Sequence, residues 1–238
     1  MIKQQLLSTG LALLLASSLP FTALADTTDT TVSIRDGSDH TIGSIDYTNT
    51  NYALDVHGNG TNVTVDGNVK SDNGYGITAG DNSTTTVKGD LSANRVAINA
   101  GGEAEVTIDG DVRGTGSTSN TIEVGGKTDI TVKGDVIAED TSAIRTDQEA
   151  NVTVDGSIKA GNGGISAWGY GEDGKNNTSL TVGKDVDGSR SGIDATNGAD
   201  VKVGGNVSSG GTGVYAAVFD DIKDKDIKNN ILIGGDVN

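Results

Sequence analysis

The chain has 238 residues, with 33 acidic side chains against 17 basic ones and a formal net charge of −16. That balance excludes nucleic acid and anionic lipid as partners, since both are polyanions that an acidic surface repels. Cysteine is absent, so no disulfide, thiolate-held metal or lipid-bearing cysteine supports the fold, which must rest on burial and backbone pairing.

Residues 1–25 read as a signal peptide. Lys3 precedes an apolar run from Leu6 to Leu19, and Ala23-Leu24-Ala25 places small residues where a signal peptidase reads them, so cleavage is expected after Ala25. The run is shorter than the roughly 20 residues a membrane span needs, and Pro20 interrupts its end. The mature chain is therefore expected to be secreted or held at a cell surface, without membrane insertion. Residues 26–52 are rich in Thr and Asp and contain one degenerate strand motif, Val32-Ser33-Ile34, which suits an N-terminal cap.

From residue 53 to 238 the chain repeats itself. Val63-Thr64-Val65-Asp66-Gly67-Asn68-Val69 recurs with starts at Thr85, Val106, Ile130, Val152, Leu180, Val201 and Ile231, at spacings of 22, 21, 24, 22, 28, 21 and 30 residues. A second element alternates with it, in the forms Ala53-Leu54-Asp55-Val56, Gly76-Ile77-Thr78-Ala79 and their successors through Gly213-Val214-Tyr215-Ala216. Both elements alternate apolar and polar residues, so one face of each strand points inward and the other toward water. A strand pair this short cannot bury its apolar face alone, so the repeats must stack. About 22 residues per coil suits three short strands and three corners. The expected fold is an all-β, right-handed parallel β-helix whose core is a set of aliphatic columns.

The outward columns are as regular. Thr64, Thr86, Thr107, Thr131, Thr153 and Thr181 form a ladder, and Asp66, Lys88, Asp109, Lys133 and Asp155 alternate in sign, which fixes the stacking register. Gly67, Gly89, Gly110, Gly134 and Gly156 suit a corner with positive φ, with Lys184 the exception in the row. The next column, from Asn68, Asp90 and Asp111 to Asp236, is expected to cap turn amides, and its mixture of Asn, Ser and Asp argues against a metal. No cofactor is expected.

The [Val/Ile]-Thr-Val-[Asp/Lys]-Gly-[Asp/Asn]-Val unit, alternating with Gly-Ile-x-Ala, resembles the β-strand repeats of large bacterial surface proteins and the β-helical passengers of autotransporter-type adhesins. The resemblance runs from about Ala53 to the end. It implies export and an adhesive or scaffolding role, and it supplies no catalytic residue.

Departures from the repeat mark surface loops. One runs from Trp168 to Asn177, the other from Ala217 to Asn230. Alignment sets Trp168 against Ala217 and Tyr170 against Phe219, with Tyr215 on the adjoining strand, so these four aromatics are the candidate carbohydrate-binding residues. The expected partner is a glycan or another surface component. The alternative, a polysaccharide lyase or hydrolase, would need convergent acid and base groups, for which Asp194 with Arg190 is the candidate pair. The reading adopted is a binding or structural protein and not an enzyme. The threonine ladder alone does not make an ice-binding face, because the column beside it is charged. The sequence stops just after a strand motif at Asn238, which reads as a truncation or as an end that associates with another copy.

Overall fold

Alternating strands of three or four residues become stable only where each lends its backbone to the next, and the chain meets that requirement coil by coil. The computed structural model describes residues 22–23, 27–117, 119–169, 178–219 and 227–238. Among them the chain is all-β, a parallel β-solenoid of three stacked sheets. The first sheet has ten strands, from Thr22–Ala23 through Asn62–Val65 to Asn230–Ile233; the second has nine, from Thr27–Thr28 to Val207–Ser209; the third has nine, from Val32–Ile34 to Thr212–Ala217. The pairing throughout joins each strand to its equivalent one coil away.

The register is the one the repeat requires. Val65, Val87, Ile108, Val132, Val154, Val182, Val203 and Ile233 stand opposite one another in succession, as do Thr64, Thr86, Thr107, Thr131, Thr153 and Thr181 on the outward side. The inward columns are buried as far as Val203 and half-buried at Ile231 and Ile233, and Ile108, Val132 and Val154 are wholly shielded. Each such side chain contributes roughly 1.5–3 kcal/mol before chain entropy is set against it. Outside, Lys88 Nζ lies 2.6 Å from Asp66 Oδ1 and Lys133 Nζ 2.6 Å from Asp109 Oδ1, so the alternating column pairs between coils.

The last aliphatic residue of each motif opens the second sheet. Val69–Ser71, Leu91–Ala93 and Val112–Gly114 are its typical strands. One coil also precedes the recognisable repeats, because Val32–Ile34, Asp39–Ile42 and Ile45–Tyr47 pair with the third, first and second sheets. In that coil His40 fills an inward position opposite Val63, 5% exposed, with Nε2 2.9 Å from Asp36 Oδ1. Burial pushes the Asp36 carboxyl up, but the His40 ring and the Ser38 N–H outweigh it and hold the carboxyl below its ordinary value. Residues 1–25, expected to be a signal peptide, lie outside the described residues except for Thr22–Ala23, which pair with Thr41–Ile42.

The corner glycines are small for a reason other than the one expected. Positive φ occurs at Gly37, Gly58, Gly60, Gly102, Gly126 and Gly198, and not at Gly67, Gly89, Gly110, Gly134 or Gly156. What those corners forbid is a Cβ. Built on Gly89, Gly110 or Gly134, it would stand 2.9, 2.8 or 2.6 Å from the carbonyl oxygen of the preceding corner glycine. It would also overlap a side-chain oxygen of the preceding coil, the one that accepts a corner N–H. The Asp90 N–H donates to Asn68 Oδ1 at 2.8 Å, Asp111 to Asp90 at 2.9 Å, Asp135 to Asp111 at 2.8 Å and Ser157 to Asp135 at 2.8 Å. The column does cap turn amides, those of the following coil. At the next corner Lys184 replaces the glycine, and the ladder resumes where the Asn206 N–H donates to Asp185 Oδ1 at 2.7 Å.

Within the repeats of the first sheet, one inward position breaks the aliphatic rule. Thr85 stands between Val63 and Val106, fully buried, and its Oγ1 has no hydrogen-bond partner. A buried hydroxyl without a partner is destabilising, so Thr85→Val should raise stability by about 1 kcal/mol. Urea unfolding followed by circular dichroism would show the higher midpoint; a lower one would mean that the hydroxyl is satisfied by a water.

Candidate functional site

The outward face of the third sheet carries the most varied side chains of the solenoid. Its central column runs Asp55, Thr78, Asn99, Glu123, Arg145, Ser166, Asp194, Tyr215, one residue per coil. Two residues farther along each strand comes a second column: His57, Gly80, Gly101, Gly125, Asp147, Trp168. Trp168 is 40% exposed and stands opposite Asp147 on one side and Thr196 on the other. The alignment that set Trp168 against Ala217 is the observed register, through Thr196.

Trp168 is held on three sides. Its Nε1–H donates to Ser166 Oγ at 3.0 Å, the Arg145 guanidinium carbon lies 5.7 Å from the ring centroid, and its carbonyl accepts the Thr178 hydroxyl at 3.0 Å. A cation over an indole face contributes about 0.5–1 kcal/mol at an exposed site. The ring therefore keeps a fixed orientation while much of it stays open to solvent. Arg145 also lies 3.9 Å from Asp147 Oδ2, and Asn120 donates to Glu123 Oε1 at 2.9 Å.

Two carboxylates here are partly desolvated. Burial pushes the Asp147 carboxyl up, Arg145 opposes the shift and Glu123 adds to it. Burial alone pushes Asp194 up, and its Oδ1 is shielded from solvent without a hydrogen-bond donor. Around these groups the face sinks into two open depressions. One, of about 370 Å³, is lined by Arg145, Ser166, Trp168, Ser191 and Asp194; the other, of about 180 Å³, by Asn99, Glu123, Gly125, Arg145 and Asp147. They meet at Arg145.

Of the four aromatics expected to bind carbohydrate, Trp168 and Tyr215 project from this face two strands apart, Tyr215 being 47% exposed and in line with Asp194. Phe219 is 46% exposed beyond the same edge strand, its N–H donating to Asn197 Oδ1 at 3.1 Å. Tyr170 lies outside the described residues, as do 171–177 and 220–226. Arg190 lies at the corner before the Asp194 strand and forms no ion pair with it. The repeat also held a contact that the sequence reading missed. Tyr52 and Tyr75 occupy one register position on neighbouring coils, with ring centroids 4.9 Å apart and the Arg95 guanidinium 5.3 Å from the Tyr75 ring.

Compared with known protein families, curated proteins and solved structures, the chain shows no significant match. Among the described residues no helix is long and apolar enough to cross a membrane.

Proposed function

We propose that the chain is an exported, surface-displayed β-solenoid with an adhesive or structural role, which binds a glycan on the outward face of its third sheet. The observation that carries this reading is the exposed Trp168 ring, fixed by Arg145 and Ser166 above an open depression bordered by Asp194 and by serine hydroxyls. A flat apolar ring beside hydrogen-bonding groups complements the C–H face and the hydroxyls of a sugar. Export and surface display rest on the signal-peptide pattern of residues 1–25 and on the resemblance to bacterial surface repeats.

A glycan array probed with the wild type and with a Trp168→Ala/Tyr215→Ala variant tests it. Binding should fall at least about tenfold in the variant, whose substitutions lie on the solvent side of the sheet and leave the core columns intact. Retained binding would sink the site. The Asp147 and Asp194 carboxyls, both raised by burial, are what favour a polysaccharide-cleaving enzyme instead. Release of shortened chains from a pectin-like polymer would establish that reading and end the purely adhesive one.

A further inference from the structure

The shape of the same face says how a glycan would lie on it. The two depressions share Arg145 and together cross five successive strands, those carrying Asn99, Glu123, Arg145, Ser166 and Asp194. With strands ~4.8 Å apart, that is a trough of roughly 19 Å parallel to the solenoid axis. At its N-terminal end the trough is lined by Asn99 and Gly125, and Gly101 stands beside Gly125 one coil earlier, at the margin. Gly101 has no positive φ, and a Cβ built on it would meet only the Gly125 carbonyl oxygen, at an ordinary 3.6 Å. Unlike the corner glycines, Gly101 is not required by the fold, and its missing side chain leaves that margin open. Next along, the Asp147 carboxylate leans over Gly125, 2.5 Å from where a Cβ would stand. Beyond Gly101 the His57 ring covers Gly80 and closes that end, with its Nδ1 3.2 Å from Asp81 Oδ2.

Resting on the glycan-binding reading, we infer that this trough takes a linear, non-acidic glycan lying along the solenoid axis, about one sugar per coil, with Trp168 as the stacking platform at one end and the open margin at Gly101 at the other. The rise of one hexose in an extended β-linked chain is comparable with the ~4.8 Å between strands, so successive sugars meet equivalent positions on successive coils. Charge sets the class. Glu123, Asp147 and Asp194 line the trough against one cation, Arg145, which is already engaged by the Trp168 ring and Asp147. Carboxylates accept sugar hydroxyls well and repel uronates.

The test is the chain-length dependence of affinity for neutral β-linked glucose oligomers of two to six sugars, with oligogalacturonates of equal length as the charged control. Affinity for the neutral series should rise about tenfold from two sugars to five and then level off, and the acidic series should bind weakly at every length. Gly101→Phe, whose Cβ meets no backbone clash and whose ring would crowd the open margin, should abolish the gain with length, with the disaccharide still bound and the circular dichroism spectrum unchanged. A flat length dependence, a retained gain in Gly101→Phe, or tighter binding of the uronates would each overturn the inference while leaving Trp168 as a local sugar site. Failure of both series to bind at any length would overturn the inference, while the broader glycan reading falls only if the glycan array shows no binding that depends on Trp168 and Tyr215.

Discussion

Val132→Asp should break the solenoid in the middle. Val132 is wholly buried, stacked between Ile108 and Val154 in the inward column of the first sheet. An aspartate there has no cation to pair with and only aliphatic neighbours in its column, so it must be buried as an unpaired charge or protonated. Either outcome costs about 4–5 kcal/mol, the range reached by the most damaging substitutions. A domain is stable by only ~5–15 kcal/mol in total. In a solenoid the damage is also local in kind, because each coil contacts only its neighbours. The expected result is therefore loss of a single cooperative transition: urea unfolding should split, and limited proteolysis should cut near residues 130–135 before it cuts elsewhere. A variant that unfolds in one step at the wild-type midpoint would refute the assignment of Val132 to the core.

Gly134→Ala should also be clearly destabilising, although it adds a single methyl group at the surface of the rod. The new Cβ would sit 2.6 Å from the Gly110 carbonyl oxygen and overlap Asp111 Oδ1. To make room, the corner must give up either the Gly134 N–H bond to Gly110 O or the Asp135 N–H bond to Asp111 Oδ1. Losing one such bond and displacing backbone together cost about 2–3 kcal/mol. Gly101→Ala is the matched control, since its Cβ enters open space. If both variants unfold at the same urea concentration, close approach is not what the corner demands.

The inward columns were legible because the pattern that encodes them repeats without interruption, and a one-residue slip would turn every Val and Ile outward. The second sheet was harder to see. Its strands hold three residues, such as Val69-Lys70-Ser71, too few to show an alternation of their own. The coil of residues 32–47 was hidden by composition, since His40 occupies a position that elsewhere is aliphatic, and Tyr47 is fully buried where later coils have Ser71 or Ala93. Positive φ was the obvious reason for a row of corner glycines, but it is a property of one residue. The observed reason is the distance to another coil, which no single repeat contains.

The candidate site was legible only at one end. Trp168 and Tyr215 stood out as aromatics in a chain that has few. The trough that runs from Trp168 toward Gly101 did not, because it is assembled from single residues some 20 positions apart and because part of its margin consists of side chains that are missing. The Arg145–Trp168 contact was within reach, since the repeat alignment places Arg145 beside Ser166, two residues before the indole.

The ladder of corner side chains has a direction. The Oδ1 atoms of Asn68, Asp90, Asp111 and Asp135 each accept an N–H from the coil that follows in sequence. A finished coil thus displays, before its successor exists, a fixed acceptor at the place where the successor's corner amide must arrive. A next coil that arrived one residue out of register would leave both that acceptor and its own corner amide unpaired, so each turn checks the register of the one stacked on it.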